Sequence, residues 1–104
     1  MRKVASTTKF NRDFKRAVKT VVFKKNKAKF DKYINMLRAG EKLPPESKNH
    51  PMSKASPKEY QGCWDFHVAP DICVIYRMKE DTIELVRIGQ HNDLELTENF
   101  SAYC

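Results

Sequence analysis

Five polar side chains in the second half of the chain have the chemistry to transfer protons and to hold a phosphate. They are His50, His67, Asp71, Arg87 and His91, and they include all three histidines of the 104-residue sequence. A histidine gives or takes a proton near neutral pH, because its unperturbed pKa is about 6.5. An arginine can bind a phosphate through two parallel N–H donors. Together the five side chains can supply an acid, a base and a phosphate contact.

Cleavage of RNA without a metal needs this combination of groups. A base removes the proton from the ribose 2′-hydroxyl, a cation stabilises charge on the phosphate, and an acid protonates the leaving 5′-oxygen. The nucleophile belongs to the RNA, so no protein serine or cysteine is required. Each residue also has an ordinary structural role. Asp71 can make the turn after Pro70, and Arg87 can pair with Glu84 or Asp65 across a sheet.

Other familiar catalytic and metal-binding motifs are missing from the sequence. The three glycines form no phosphate loop, and neither GxSxG nor HExxH occurs. Cys63, Cys73 and Cys104 form no CxxC pair, which indicates free thiols in a reducing compartment, with at least one of the first two packed inside. We therefore expect no metal and no cofactor.

The elements that must position the polar side chains are three strand-like runs between Trp64 and His91. Two short polar breaks separate the runs, at residues 69–71 and 79–81. Strands joined so closely form an antiparallel meander, and residues 72–78 are its central strand because they are apolar on both faces. Such a meander can bring polar groups to one end of the sheet, namely His67, Asp71, Arg87 and His91.

The chain before this meander is predicted to form a short strand, two helices and a loop. Lys3–Ser6 is weakly strand-like, and Thr7-Thr8 offers an N-cap for a helix whose apolar stripe extends to Val22. A lysine-rich break at residues 23–27 precedes a second helix, which ends at Ala39-Gly40. The apolar faces of the two helices should cover the sheet.

A loop of about fifteen residues, 43–57, is predicted to connect the helices to the meander. It contains four prolines, with His50-Pro51 at its centre. Proline restricts its own backbone and that of the residue before it, so His50 should be held stiffly. Long ordered loops in small domains are often functional.

Positive charge is concentrated in the first third of the chain. Residues 1–38 contain 13 Lys and Arg against two Asp, a net charge of +11, whereas residues 39–104 carry a net charge of −4. This imbalance indicates a polyanionic partner such as nucleic acid, although a solvated basic face explains it equally well. The residues predicted to contact RNA are Arg12, Lys15, Arg16 and Lys19 in the first helix and Lys54 in the loop.

Length and composition fit a single cytoplasmic domain. A chain of 104 residues, 40% hydrophobic and 32% charged, can build one modest core. No apolar run approaches the ~20 residues of a membrane helix, and no secretory signal follows Met1. The tail at 95–104 has no firm pattern and is expected to be mobile or to form a short helix.

Several stretches of the chain resemble the YafQ branch of the RelE-like bacterial toxins. The matching stretches are His50-Pro51, His67-Val68-Ala69-Pro70-Asp71, Ile75-Tyr76-Arg77 and Val86-Arg87-Ile88-Gly89-Gln90-His91. The resemblance follows the whole chain in element order and is most specific between residues 50 and 94. Two positions depart from the family pattern: Ile72 replaces a common tryptophan, and Glu95 replaces a phenylalanine. Both departures put base stacking or codon choice in doubt.

The resemblance implies an α+β fold: two N-terminal helices packed on a small twisted antiparallel sheet, in the order β-α-α-β-β-β. It also implies a ribosome-dependent mRNA endonuclease that a cognate antitoxin, of the ribbon-helix-helix type, neutralises. The family's site residues fall on the five polar side chains. His91 would be the general acid, Asp71 or His67 the base, Arg87 the phosphate contact, and His50 a further proton-transfer or phosphate-binding group.

Two other functions stay open at this stage. A ParE-like toxin of the same fold would inhibit a topoisomerase and would need no set of histidines. A plain RNA-binding module would use the basic half of the chain, with Phe and Tyr side chains for stacking, and would never shorten its RNA.

Overall fold

The structure, a computed structural model, describes residues 1–52, 58–70 and 72–90. These described residues form five strands and two α-helices: β1 (Lys3–Ser6), α1 (Thr8–Ala17), α2 (Val21–Arg38), β2 (His50–Pro51), β3 (Trp64–Ala69), β4 (Ile72–Lys79) and β5 (Thr82–Gln90). Short 3₁₀ helices lie at Pro45–Ser47 and Lys58–Tyr60. The predictions for Lys54, for Asp71 and for the tail lie outside the described residues.

The five strands form one sheet in the order β1-β5-β4-β3-β2. The predicted meander is confirmed, since β3, β4 and β5 pair antiparallel and β4 is central. β1 is parallel to β5, with Lys3 opposite Thr82 and Ser6 opposite Leu85, so the sheet is mixed. Parallel pairing requires a long crossover, and α1 and α2 are part of the chain that returns from β1 to β5. The α+β fold class is therefore confirmed, with one parallel pair added.

Thr20 decides where the first helix ends, and the prediction was wrong here. The Thr20 hydroxyl donates to the Ala17 carbonyl at 2.8 Å and accepts from the Phe23 N–H at 3.1 Å. α1 therefore stops at Ala17, and α2 begins under the Thr20 cap, so residues 23–27 are helical. Side-chain hydrogen bonds of this kind compete with helix continuation. The apolar periodicity that extended the first helix to Val22 could not reveal this competition.

Replacing Thr20 by alanine is expected to lower the free energy of unfolding by about 0.5–2 kcal/mol, because the Phe23 N–H loses its cap. Urea denaturation followed by circular dichroism measures this change. Thr8→Ala is a matched control, since Thr8 is exposed and lies one position after the Thr7 cap of α1. An equal loss of stability in both variants would contradict the capping role.

Apolar side chains cover both faces of the sheet. The main core packs α1 and α2 on one face and includes Phe23, Phe30, Phe66 and Val74. A smaller cluster lies on the other face: Met52, Tyr60, Cys63, Cys73 and Ile75. Burial raises the pKa of the Cys63 thiol, which disfavours the reactive thiolate. The expectation that a cysteine is packed is confirmed. Neither described helix is long and apolar enough to cross a membrane.

Candidate active site

Three of the five predicted site residues lie in the described part of the chain: His50, His67 and Arg87. Asp71 and His91 lie outside it, as does Lys54. Their described neighbours are informative, because Ile72 pairs with Ala69 on one side and with Gln90 on the other. The described residues next to Asp71 and His91 in the sequence, Ile72 and Gln90, are thus opposite each other on the neighbouring strands β4 and β5.

The strand register places His50, Asp65 and Arg87 in one row across the sheet. His50 is opposite Asp65, Asp65 is opposite Ile75, and Ile75 is opposite Arg87. Residues opposite one another share a face, and neighbouring strands lie about 4.8 Å apart. His67 is two residues from Asp65, on the same side of β3. The sheet thus brings two of the histidines to one face.

His50 contacts a fully buried carboxylate. Its Nε2 lies 3.4 Å from Oδ1 of Asp65, whose side chain is 0% exposed, while the imidazole is 34% exposed. Nδ1 of His50 lies 2.9 Å from the Pro51 carbonyl oxygen. An acceptor oxygen therefore lies near each of the two ring nitrogens. His50 is placed to act as a cation or proton donor at the protein surface.

Asn49 fixes the short strand that carries His50. Its side-chain amide donates to the Asp65 carbonyl at 2.9 Å and to the Tyr76 hydroxyl at 2.7 Å. The two acceptors belong to β3 and β4, so one side chain ties β2 to two strands. The predicted loop around His50 thus contains a real sheet strand of two residues, His50–Pro51.

A buried ion pair with α1 holds Arg87. Its Nε and Nη2 donate to the two carboxylate oxygens of Asp13, at 2.5 and 3.1 Å, and its Nη1 donates to the Tyr60 hydroxyl at 3.2 Å. Arg87 is 5% exposed and Asp13 is 3% exposed. The hydrogen-bonded carboxylate raises the pKa of Arg87 above its ordinary value, so the guanidinium stays charged.

The sequence suggested different ion-pair partners for this arginine. Asp65 instead pairs with His50, and Glu84 pairs with Arg77 and Lys79. The side of the guanidinium formed by Nε and Nη2, which could have gripped a phosphate bidentately, contacts Asp13. Asp13 also accepts from the Ile88 N–H at 3.3 Å, so it joins α1 to β5.

Asp13 was missed by the sequence reasoning, although a signal was present. It is an acidic residue in a strongly basic helix, three positions after Phe10 and four before Ala17, both of which are buried. A carboxylate on the apolar side of a helix is costly unless a cation or hydrogen bonds compensate it. Such a position predicts a buried partner, but it does not say which of the cations it contacts.

His67 lies on β3 beyond the two residues that pair with β2. In the described part of the chain β2 pairs with β3 at residues 64 and 65, and His67 lines a cavity of about 230 Å³ beside the outer part of β3. Its side chain is largely buried, at 9% exposure. The cavity also exposes two lysines, Lys29 and Lys48, which the sequence analysis did not connect with the site.

The RNA contacts predicted for the first helix are exposed to solvent, although Lys19 lies beyond the end of α1 at Ala17. Arg12, Lys15, Arg16 and Lys19 are all exposed, whereas Asp13 and Ala17 face inward. Ile72, which replaces an aromatic of the family pattern, is 3% exposed and belongs to the main core. Among the described residues, no three His, Cys, Asp or Glu side chains are grouped as a metal site.

Comparison with known proteins decides the family. Residues 2–96 match the family model described as "Bacterial toxin of type II toxin-antitoxin system, YafQ". The chain belongs to the YafQ toxin family. It is therefore a toxin of the type II toxin–antitoxin class, as the resemblance predicted. No curated protein sequence matches this chain.

Solved YafQ-like structures share the fold over most of the chain. YafQ from Escherichia coli strain BL21(DE3) is 26% identical, with a TM-score of 0.73, over 90% of this chain and 98% of that one. The toxin in the E. coli DinJ–YafQ complex is 29% identical, with a TM-score of 0.72 and the same coverage. A metal-bound toxin from Helicobacter pylori is also 29% identical, with a TM-score of 0.73, over 90% and 99% of the two chains.

Proposed function

We propose that this YafQ-family toxin is an endoribonuclease that cuts mRNA in the ribosomal decoding site, with the ribose 2′-hydroxyl as nucleophile. The observation that supports it best is the strand register. It gathers His50, Asp65 and His67 on one sheet face and pairs Ile72 with Gln90, the described residues next to Asp71 and His91 in the sequence. Proton donors and acceptors so placed suit acid–base catalysis on one phosphodiester.

The proposed roles follow from the chemistry of each group. His91 is the general acid that protonates the leaving 5′-oxygen, and Asp71 or His67 is the base. His50, whose ring nitrogens face two acceptors, is suited to carry positive charge toward the phosphate.

Arg87 would contribute in a different way from the bidentate phosphate contact expected from the sequence. Asp13 and Tyr60 bind its guanidinium, and it is 5% exposed. We propose that it fixes the end of β5, three residues before the last strand residue and four before His91. A direct phosphate contact would require the ion pair with Asp13 to be shared or opened.

The proposed partners are the ribosome, mRNA and a cognate antitoxin. The exposed cations of α1 would contact ribosomal RNA, and that docking should weaken steeply with salt because bound phosphates release counterions. The E. coli relative is found in a complex with DinJ. We infer that this toxin likewise binds an antitoxin, of the ribbon-helix-helix type, whose acidic segment covers the basic helices or the sheet end. Its ribosomal target places the toxin in the cytoplasm.

Cleavage of mRNA by the purified toxin tests the proposal. The same mRNA is offered naked and bound to programmed ribosomes, and the 3′ ends of the products are determined. We expect cleavage of the ribosome-bound mRNA only, with a 2′,3′-cyclic phosphate or 3′-phosphate, because the 2′-oxygen attacks the phosphorus. Products ending in a 3′-hydroxyl would contradict this mechanism.

A supercoiling assay with gyrase distinguishes a ParE-like topoisomerase inhibitor from the proposed nuclease. Inhibition of supercoiling without loss of mRNA would favour a topoisomerase inhibitor. Binding of mRNA without shortening it would favour a plain RNA-binding module.

A further inference from the structure

The cavity beside His67 is a product of the short second strand. β2 pairs with β3 at His50–Asp65 and Pro51–Trp64, and the described residues directly before His50 form no strand. Before His50 the chain forms the 3₁₀ turn at Pro45–Ser47 instead of a strand, and α2 contributes Lys29 to the lining. The resulting space of about 230 Å³ is lined by Lys29, Glu46, Lys48, His67, Val68, Ala69 and Pro70.

Its volume limits what the cavity can hold. Pockets for whole drug-sized ligands measure about 300–1,000 Å³, so this one suits a single group of a larger molecule. The polar residues among those described as lining it are two lysines, one glutamate and His67. Even with a neutral imidazole the net charge is positive, which favours an anionic group such as a phosphate.

The backbone of Lys48 is held in a defined conformation by the turn that contains it. It has a left-handed backbone, φ 52° and ψ 40°, and its N–H donates to the Pro45 carbonyl at 3.0 Å. A non-glycine residue pays energy to adopt this conformation, and such residues cluster at functional sites. The preceding Ser47 is fully buried, and its hydroxyl donates to the Pro44 carbonyl at 2.6 Å. The turn that presents Lys48 is therefore rigid.

Among the described residues that line the cavity, Glu46 is the one that would repel an anion. The Tyr33 hydroxyl donates to Glu46 Oε1 at 3.5 Å from inside the core. Burial and this carboxylate raise the pKa of Tyr33, so its hydroxyl keeps the donating proton. Tyr33 thus compensates part of the Glu46 charge, which leaves the two lysines as the dominant charges facing the opening.

We propose that this cavity is a phosphate subsite for the RNA, in which Lys29 and Lys48 bind the backbone phosphate next to the nucleotide that His67 contacts. The inference rests on the proposed nuclease function and adds two substrate-binding residues to it. By binding the adjacent phosphate of the RNA backbone, the subsite would set the position of the scissile phosphate relative to His67. Positioning of this kind lowers the barrier because the reacting groups are already oriented.

Titration of the full-length toxin with a short RNA tests the subsite directly. The probe is a single-stranded trinucleotide with 2′-O-methyl sugars, which cannot be cleaved by attack of its own 2′-oxygen. Two-dimensional NMR should show saturable shifts at the amides of residues 46–48 and 67–69. Lys48→Ala should weaken binding about tenfold, and Lys48→Arg should restore most of it. Alanine and lysine both carry a Cβ, so this substitution does not change the backbone strain.

Lys24→Ala is the matched control, because Lys24 lies exposed on the same helix as Lys29 but does not line the cavity. It should change the affinity less than twofold, and Lys29→Ala should resemble Lys48→Ala. The salt dependence of binding should also become shallower by about 0.7 log unit per log unit of salt for each phosphate contact removed. Shifts at other residues would overturn the subsite. They would leave the cavity for another anionic group, such as an acidic side chain of the antitoxin.

Cleavage kinetics separate this inference from the function on which it rests. Lys48→Ala should raise KM for ribosome-bound mRNA about tenfold and change kcat less. A wild-type toxin that cuts mRNA while Lys48→Ala keeps the same KM would overturn the subsite and leave the nuclease intact. A wild-type toxin that never cuts but binds the trinucleotide in this cavity would overturn the nuclease and leave the subsite.

Discussion

Replacing Asp13 by alanine is expected to lower the free energy of unfolding by about 3–5 kcal/mol, because it leaves the Arg87 guanidinium buried without its counter-ion. It also removes the acceptor of the Ile88 N–H, which joins α1 to β5. A domain of this size is stabilised by only about 5–15 kcal/mol, so this loss is a large fraction of the stability. Urea denaturation monitored by tryptophan fluorescence measures the loss.

Asp31→Ala is the matched control for this prediction. Asp31 also forms an ion pair, with Lys27 at 2.7 Å, but both side chains are about half exposed. An exposed pair at this helical spacing contributes only about 0.3–0.5 kcal/mol. Replacing both Asp13 and Arg87 by leucine and methionine should recover much of the loss, since no buried charge then lacks a partner. Equal destabilisation by Asp13→Ala and Asp31→Ala would show that the buried ion pair contributes no more to the free energy of unfolding than the exposed one.

Replacing His91 or Asp71 by alanine is expected to slow cleavage of ribosome-bound mRNA by about 10²–10⁴ for each residue, because each removes a proposed proton-transfer group. The loss should appear in kcat more than in KM, since the proton moves only in the transition state. If Asp71 and His67 act as one unit, the double variant should lose little more than the more damaging single variant. Single-turnover cleavage assays with saturating toxin measure these rates.

Asp81→Ala provides the control for that series. Asp81 is an exposed aspartate in the turn between β4 and β5, at the end of the sheet away from the β3–β4 turn that contains Asp71. The Asp81→Ala variant should cut mRNA at the wild-type rate. Wild-type rates for both His91→Ala and Asp71→Ala would show that the catalytic residues have been assigned incorrectly.

The meander could be predicted from sequence because its signals are local. The break at Ala69-Pro70-Asp71 sets the first hairpin, and the alternation of β3 puts Asp65 and His67 on one side. The observed pairing of His67 with Cys73 follows from that turn. Thr7 and Gly40 likewise mark helix ends through short-range backbone chemistry, and the structure shows Thr7 capping α1 and Gly40 with a φ of 77°.

The boundary between the helices was predicted less well, although it is also local. Apolar residues continue at helical spacing from Phe10 to Val22, so periodicity favoured a single helix across Thr20. The Thr20 hydroxyl bonds to backbone groups on both sides and ends that helix at Ala17. Periodicity counts apolar faces and does not weigh the hydrogen bonds of one polar side chain.

By itself, the sequence determined the two helices and the antiparallel meander that follows them, because turn chemistry and side-chain alternation act over a few residues, but it did not predict the short strand β2. Only the tertiary structure decided which charges meet. Arg87 contacts Asp13, 74 positions away in the sequence, and Lys29 of α2 reaches the cavity beside His67. The reason is physical: a buried charge needs a partner, but packing of distant elements selects that partner from the many cations and carboxylates in the chain.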